Sequence, residues 1–277
     1  DGLIVQSIGF KKYLPIGFPK FPLEFVNKWD VDEIVLLDMS ASKNNRTVDT
    51  GLLEVLSKSC FVPLTVGGGI TSVDDVRKII RAGADKVSIN TSAIENPDFI
   101  TSIADVFGSQ CAVVSMDCRR DDNGVYRVHS NSGKENTNLI ASDWAKQVED
   151  LGAGEIFLNS IDRDGKKTGY EIELIKEISN SVSIPVIACG GVGDFKDFAP
   201  GIIEGGASAV AAGNIFHYIE HSTIVAKMHL LQANIDIRMD SEATYSGRKF
   251  DQNGRLMMMS GDELSKVELT KGSKDII

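Results

Sequence analysis

The segment Pro63-Leu64-Thr65-Val66-Gly67-Gly68-Gly69 is echoed by Pro185-Val186-Ile187-Ala188-Cys189-Gly190-Gly191, at an offset of 185 − 63 = 122 residues. The same offset joins Asp32-Glu33-Ile34-Val35-Leu36-Leu37 to Gly154-Glu155-Ile156-Phe157-Leu158-Asn159 (155 − 33 = 122), and Gly83-Ala84-Asp85 meets Gly206-Ala207-Ser208 at 206 − 83 = 123. A duplication on this scale means that one supersecondary plan is used twice. Each copy ends an apolar run in glycines, where the backbone can approach a ligand closely and free N–H groups at the following turn and helix suit a phosphate. A tight turn needing positive φ explains a single glycine run equally well. The second copy favours two related phosphate sites.

Around these repeats the chain alternates. Short β-rich runs occur at 33–39, 63–68, 86–90, 112–118, 155–161, 185–190 and 209–213, and helix-like stretches between them open at Ser72, Asn96-Pro97 and Ser142 or span 170–179. Uninterrupted strand, helix, strand predicts an α/β fold with a parallel sheet. Two duplicated half-barrels of four strands would close into a (βα)8 TIM barrel, and seven strands leave it one short. The chain starts at Asp1 rather than Met, so the expected missing piece is the first strand, with residues 2–6 as the remnant that follows it. An open doubly wound sheet is the alternative, with its ligand at a single switch point. Residues 9–22, rich in Gly, Pro, Lys and aromatics, are expected to form a lid or a solvated loop. The expected domains are an N-terminally truncated barrel over 1–238 and a polar, flexible C-terminal appendage over 239–277, with an apolar knot at Leu256-Met257-Met258-Met259.

Composition removes several function classes. A net charge of −10 argues against a nucleic-acid surface, and no apolar run approaches the length of a membrane span. Cys60, Cys111, Cys118 and Cys189 lack CxxC spacing and read as reduced, mostly buried thiols of a cytoplasmic protein. His217 and His221 stand at i, i+4 without a matching acidic third ligand, so neither a metal nor a cofactor is expected.

In a barrel the C-terminal ends of the strands face the active mouth. Those ends offer Gly69, Asn90, Thr91, Gly165, Gly191, Gly213 and Asn214 for phosphate, and the carboxylates Asp38, Asp117 and Asp164 for proton transfer or hydroxyl binding. Asp117 ends the apolar strand Cys111-Ala112-Val113-Val114-Ser115-Met116, where apolar walls would raise its pKa toward neutrality. It is the best general acid/base candidate; the plain alternative is a structural partner for a lysine or a helix start. At the opposite strand ends, Glu33, Lys86 and Glu155 would share one interior layer as a charged ring, either a salt-bridge plug or a gate for a small polar molecule.

The sequence resembles the HisF-type cyclase subunits of imidazole glycerol phosphate synthase, in histidine biosynthesis. The motifs that carry the resemblance are Asp32-Glu33-Ile34 through Asp38, Val66-Gly67-Gly68-Gly69-Ile70, Ala84-Asp85-Lys86-Val87-Ser88-Ile89-Asn90-Thr91, Phe107-Gly108-Ser109-Gln110, Ser132-Gly133-Lys134, Asn136-Thr137, Ser160-Ile161-Asp162-Arg163-Asp164-Gly165 and Ala188-Cys189-Gly190-Gly191. The resemblance implies a (βα)8 barrel that binds phosphoribulosylformimino-AICAR-phosphate, a substrate with a phosphate at each end. Ammonia released by a glutamine amidotransferase partner, docked at the barrel floor, would cross it and attack the substrate, giving imidazole glycerol phosphate and AICAR. Asp117 matches one of the family's two catalytic aspartates, and the other would lie three residues before Asp1. Glu33, Lys86 and Glu155 match its ammonia gate, and Asp38 and Ser132 fall among other mouth residues.

Gln6 stands where the family has a lysine in its first loop. Together with Tyr13-Leu14-Pro15-Ile16-Gly17, Ser42-Lys43-Asn44-Asn45-Arg46 and Ser59-Cys60-Phe61-Val62-Pro63-Leu64, it resembles a HisF-like side branch that serves acetamidino-sugar biosynthesis for surface polysaccharides. Two function classes are therefore expected: a cyclase, or an ammonia-conducting partner subunit without cyclisation. The sister barrel that isomerises the preceding histidine intermediate shares the halves and the phosphate sites. It lacks the cyclase pattern of Ser132-Gly133-Lys134 with Asn136-Thr137.

Overall fold

Runs of β-branched residues too short for helices, set between capped amphipathic stretches, build the wall of the molecule. A computed structural model describes residues 2–217, 219, 221–239, 251, 257 and 260–264. The chain opens with an antiparallel hairpin, β1 (Ile4–Ile8) and β2 (Lys12–Gly17), and helix α1 (Lys20–Lys28). It then runs through β3 (Ile34–Leu37), α2 (Thr50–Ser57), β4 (Leu64–Gly67), α3 (Val73–Arg81), β5 (Lys86–Ile89), α4 (Thr91–Glu95), α5 (Asp98–Phe107) and β6 (Ala112–Arg120). A second hairpin, β7 (Tyr126–Ser130) and β8 (Glu135–Ile140), precedes α6 (Ala141–Asp150), β9 (Glu155–Ser160), α7 (Ile172–Ser179), β10 (Val186–Cys189), α8 (Phe198–Ile203), β11 (Ala209–Val210), α9 (Ser222–Gln232) and the short α10 (Gly261–Leu264).

All seven predicted strands are present. They pair in parallel in the order β11-β10-β9-β6-β5-β4-β3, which follows the chain without a reversal. A doubly wound sheet would need a switch point in that order, so the barrel reading holds. Ile34 and Leu36 of one edge strand and Ala209 and Val210 of the other line the same cavity of about 2120 Å³, so the sheet curls until its edges face each other across one space. This is the wall of a TIM barrel. The helices cover its outer face with buried apolar stripes, such as Val76 and Ile79 of α3, Ile100 and Ile103 of α5, and Leu174 and Ile178 of α7. Each such side chain contributes roughly 1.5–3 kcal/mol by leaving water.

The duplication is visible bond by bond. Thr71 and Ser72 donate their backbone N–H groups to Asp75 Oδ2 at 3.3 and 3.1 Å. At the 122-residue offset, Gly193 and Asp194 donate to Asp197 Oδ2, both at 3.0 Å. Gly83 packs against Ser57 and Gly206 against Ser179, each glycine with positive φ.

Both hairpins were hidden in the alternation. Residues 9–22 are not a plain loop: Lys12–Gly17 pair with Ile4–Ile8, and α1 begins at Lys20 despite Pro22. Helix α9 is buried on most sides, and Lys227 ties it to the start of β3 through Asp32 Oδ1 at 2.9 Å and Asp30 Oδ2 at 3.3 Å. The predicted appendage over 239–277, with most of its methionine knot, lies almost wholly outside the described residues. Among the described residues, no helix is long and apolar enough to cross a membrane.

Candidate functional site

Strand parity fixes what faces the cavity. Glu155, Phe157 and Asn159 of β9 line it, and alternate residues on a strand share a face. Val113, Ser115 and Asp117 of β6 pair with those three in register, so they form the next column of the inner face. On β5, Ser88 pairs with Val113, which places Lys86, Ser88 and Asn90 in a third column. From Lys86 at the floor to Asn90 at the mouth is four residues, about 13 Å of strand. The buried hydroxyls of Ser88 and Ser115 stand between.

Asp117 occupies the mouth end of its column and is only 9% exposed. Asn90 Nδ2 donates to its Oδ2 at 2.9 Å and to the His129 carbonyl oxygen at 3.3 Å. Burial pushes the Asp117 carboxyl up to about 7; the Asn90 bond opposes the rise, and the charge of Asp164 adds to it. A group held there exchanges a proton readily near neutral pH. Asp38 is the opposite case. Burial raises its pKa, but bonds from Arg46 (Nη1 to Oδ2, 2.7 Å) and from the Ser40 hydroxyl and backbone outweigh burial and hold it below its ordinary value. It is an ion-pair member at the cavity wall.

Asp164, Gly165 and Asn214 converge on the turn of the first hairpin. Ser7 Oγ donates to Asp164 Oδ2 at 2.6 Å, the Phe10 N–H to the same oxygen at 3.2 Å, and Asn214 Nδ2 to the Ser7 carbonyl oxygen at 2.9 Å. Gly165, at φ +67°, has the Ser7 carbonyl where a Cβ would stand. Gly165 and Asn214, predicted to meet phosphate, and Asp164, predicted for proton transfer or hydroxyl binding, hold the hairpin over the mouth. Tyr13 of β2 feels the same site: burial first, then the charges of Asp164 and Asp117, push its phenol up. Thr91 is likewise engaged, its Oγ1 accepting the Asn131 N–H at 3.1 Å and so fixing the turn between β7 and β8. Ser132 in that turn lines the cavity, as does Gly213.

Just past each glycine pair the chain is capped: Asp75 accepts the Thr71 and Ser72 N–H groups, and Asp197 those of Gly193 and Asp194, so a phosphate at these turns would meet the N–H groups nearer the glycines. The glycines themselves are required by the preceding loop: a Cβ on Gly69 would strike the Arg46 carbonyl oxygen, and one on Gly191 that of Gly169. The two copies therefore place equivalent, tightly packed turns at the mouth, with Gly69 and Gly191 at their centres.

At the floor the charged ring forms. Lys86 Nζ lies 2.6 Å from Glu155 Oε1 and 3.1 Å from Glu33 Oε2. Burial lowers the Lys86 pKa, but its bonds to Glu155 and Glu33 outweigh this and hold it above the ordinary value. The side chains of Lys86 and Glu155 are 14% and 18% exposed, whereas Glu33 is 42% exposed. Glu33 and Glu155 line the cavity.

Sequence reasoning missed Ser7, Arg46 and Asn159. Asn159 was within reach, since it stands one step of strand parity above Phe157 and two above Glu155. Nothing in the local sequence marks Ser7, whose partner is 157 residues away. Among the described residues, no group of three or more His, Cys, Asp or Glu side chains is placed to hold a metal ion.

Comparison with known proteins gives a consistent result. The sequence pattern of the family described as "Histidine biosynthesis protein" matches residues 5–222. A Vibrio vulnificus (strain YJ016) protein is 49% identical over 253 residues, 91% of this chain and 93% of that protein. Its name is imidazole glycerol phosphate synthase subunit hisF2, an assignment the name itself marks as provisional. The imidazole glycerol phosphate synthase subunit HisF of Alkaliphilus metalliredigens (strain QYMF) is 47% identical over 237 residues, 86% of this chain and 94% of that protein.

Proposed function

The chain belongs to the histidine biosynthesis protein family, and from that premise we propose that it is the cyclase subunit of an imidazole glycerol phosphate synthase. It uses ammonia to convert phosphoribulosylformimino-AICAR-phosphate into imidazole glycerol phosphate and AICAR. The observation that carries this reading is Asp117: a buried carboxyl near neutrality, at the mouth end of an inner column that starts at a charged floor.

In this account a glutamine amidotransferase subunit docks at the floor and releases ammonia into the ring of Glu33, Lys86 and Glu155. Lys86 is held more closely by Glu155 than by Glu33, and Glu33 is the more exposed partner, so the contact between Lys86 and Glu33 is the one that yields. Ammonia then passes Ser88 and Ser115 to the mouth. Attack of a neutral amine on an sp² carbon leaves a proton on nitrogen and negative charge on oxygen. Asp117 takes up the first and returns it where a leaving group needs it. Gly69, Thr91 and Asn90 on one side, and Gly165, Gly191, Gly213 and Asn214 on the other, hold the two phosphates once the hairpin lifts from Asp164. Asp38 and Ser132 complete the mouth.

Assay of the chain with ammonium salt and the bis-phosphate substrate tests this. Turnover that Asp117→Asn abolishes without unfolding supports it.

A second reading has one observation in its favour. Gln6, buried in β1, puts a neutral amide where the resemblance implies a lysine. On that reading the barrel conducts ammonia for an acetamidino-sugar system and binds a substrate without cyclising it. Substrate binding with no turnover would favour it.

A further inference from the structure

Asp117 sits on β6 between two strands that each bring an asparagine to its side. Asn90 precedes it on the β5 flank, and Asn159 of β9 pairs with it in register. Both carboxamide oxygens, Asn90 Oδ1 and Asn159 Oδ1, are buried without a hydrogen-bond partner. The Asn90 orientation is fixed by its neighbours. Its nitrogen serves Asp117 Oδ2 and the His129 carbonyl, which is an acceptor only, so its oxygen points the other way. Asn159 lines the cavity, and Gly190 leaves the space beside its Oδ1, where a Cβ would come within 2.6 Å. At the base of the same β9 column, Glu155 Oε2 is a third buried oxygen with no partner.

The inner wall beside Asp117 therefore holds two carboxamide oxygens with no partner next to a carboxylate, alongside the hydroxyls of Ser88 and Ser115. Acceptors clustered in this way suit a small ligand that carries several N–H groups. We propose that Asn90 Oδ1, Asn159 Oδ1 and the Asp117 carboxylate form a docking station for ammonia or ammonium, where the nitrogen is held before it attacks. The station deepens the cyclase reading and rests on it. Asn159 is its defining member, since Asn90 also serves to hold Asp117 in place.

The test varies ammonium at saturating bis-phosphate, without an amidotransferase. Asn159→Leu keeps the shape and removes the acceptor. The loss of one such bond should raise the KM for ammonium about tenfold and leave the KM for the bis-phosphate within about twofold. An unchanged ammonium KM overturns the station, and a parallel rise in the bis-phosphate KM assigns Asn159 to the substrate instead. A second arm needs neither a variant nor turnover. The ¹⁵N-labelled wild-type chain is titrated with ammonium chloride and, separately, with sodium chloride, following the side-chain amide resonances of Asn90 and Asn159. Saturable shifts with ammonium alone support the station even if the wild type proves not to cyclise. Equal shifts with both salts, or none, mean that water alone meets these oxygens, and the inference fails.

Discussion

Asn90 Nδ2 lies 2.9 Å from Asp117 Oδ2, and this one bond is what a buried carboxyl at the mouth has in place of a cation. It does not offset the burial, so Asp117 stays near 7 instead of its ordinary 3.8. For a carboxyl raised on folding, the folded state binds more protons than the unfolded one between those values. Stability therefore falls as pH rises from about 4 to about 7.

Asp117→Asn removes that cost. We expect it to stabilise the fold at pH 8 by up to about 4 kcal/mol and to flatten the stability profile between pH 4 and 7 relative to wild type. Urea denaturation at several pH values measures both. A variant less stable than wild type at pH 8 would contradict the raised pKa.

The floor ring makes a separate prediction. Lys86→Met leaves Glu33 and Glu155 facing each other with no cation between them, a loss of about 1–3 kcal/mol for a partly buried pair. The raised pKa of Lys86 adds stability below the ordinary lysine value, and the contribution is lost only as pH rises through the higher folded value. The wild-type advantage over Lys86→Met should therefore be constant from pH 6 to 9 and shrink above pH 10. Denaturant midpoints across that range check it.

The hairpin is held at its tip by Asp164. Ser7→Ala deletes the 2.6 Å bond and leaves the backbone bond from Gly9 N–H to the Asp164 carbonyl oxygen, 2.9 Å. Loss of about 1 kcal/mol locally should speed amide hydrogen exchange in Ile4–Gly17 about fivefold, with strands β4 to β6 unchanged.

The repeated glycines give a paired test. Gly69→Ala and Gly191→Ala each place a methyl against a backbone carbonyl at positive φ, and each should cost more than about 2 kcal/mol. Gly213→Ala meets open space and should be near neutral. Thermal denaturation of the three variants separates them.

The strand wall could be read from sequence because each strand carries its own signal, a β-branched run ending in Gly, Asn or Asp. The floor ring followed from parity alone, since Lys86 and Glu155 open their strands and Glu33 directly precedes β3. What stayed hidden depends on distant partners. The first hairpin is fastened by Asp164 and Asn214, far along the chain, and its Gly and Pro content reads locally as loop. The turn at Asn131-Ser132-Gly133 takes three successive positive φ values, which Thr91 and Phe10 hold in place from other elements. The helix start at Ser72 was legible, but not that Asp75 and Asp197 each take two N–H groups just past their glycine pairs.

The most direct test of the central claim is single-turnover conversion of the bis-phosphate substrate by the wild-type chain with ammonium, across pH 5.5 to 9. The account predicts formation of imidazole glycerol phosphate and AICAR, with a rate limb titrating near 7 that disappears, together with turnover, in Asp117→Asn. Tight substrate binding with no product at any pH, or turnover that survives Asp117→Asn, would contradict it.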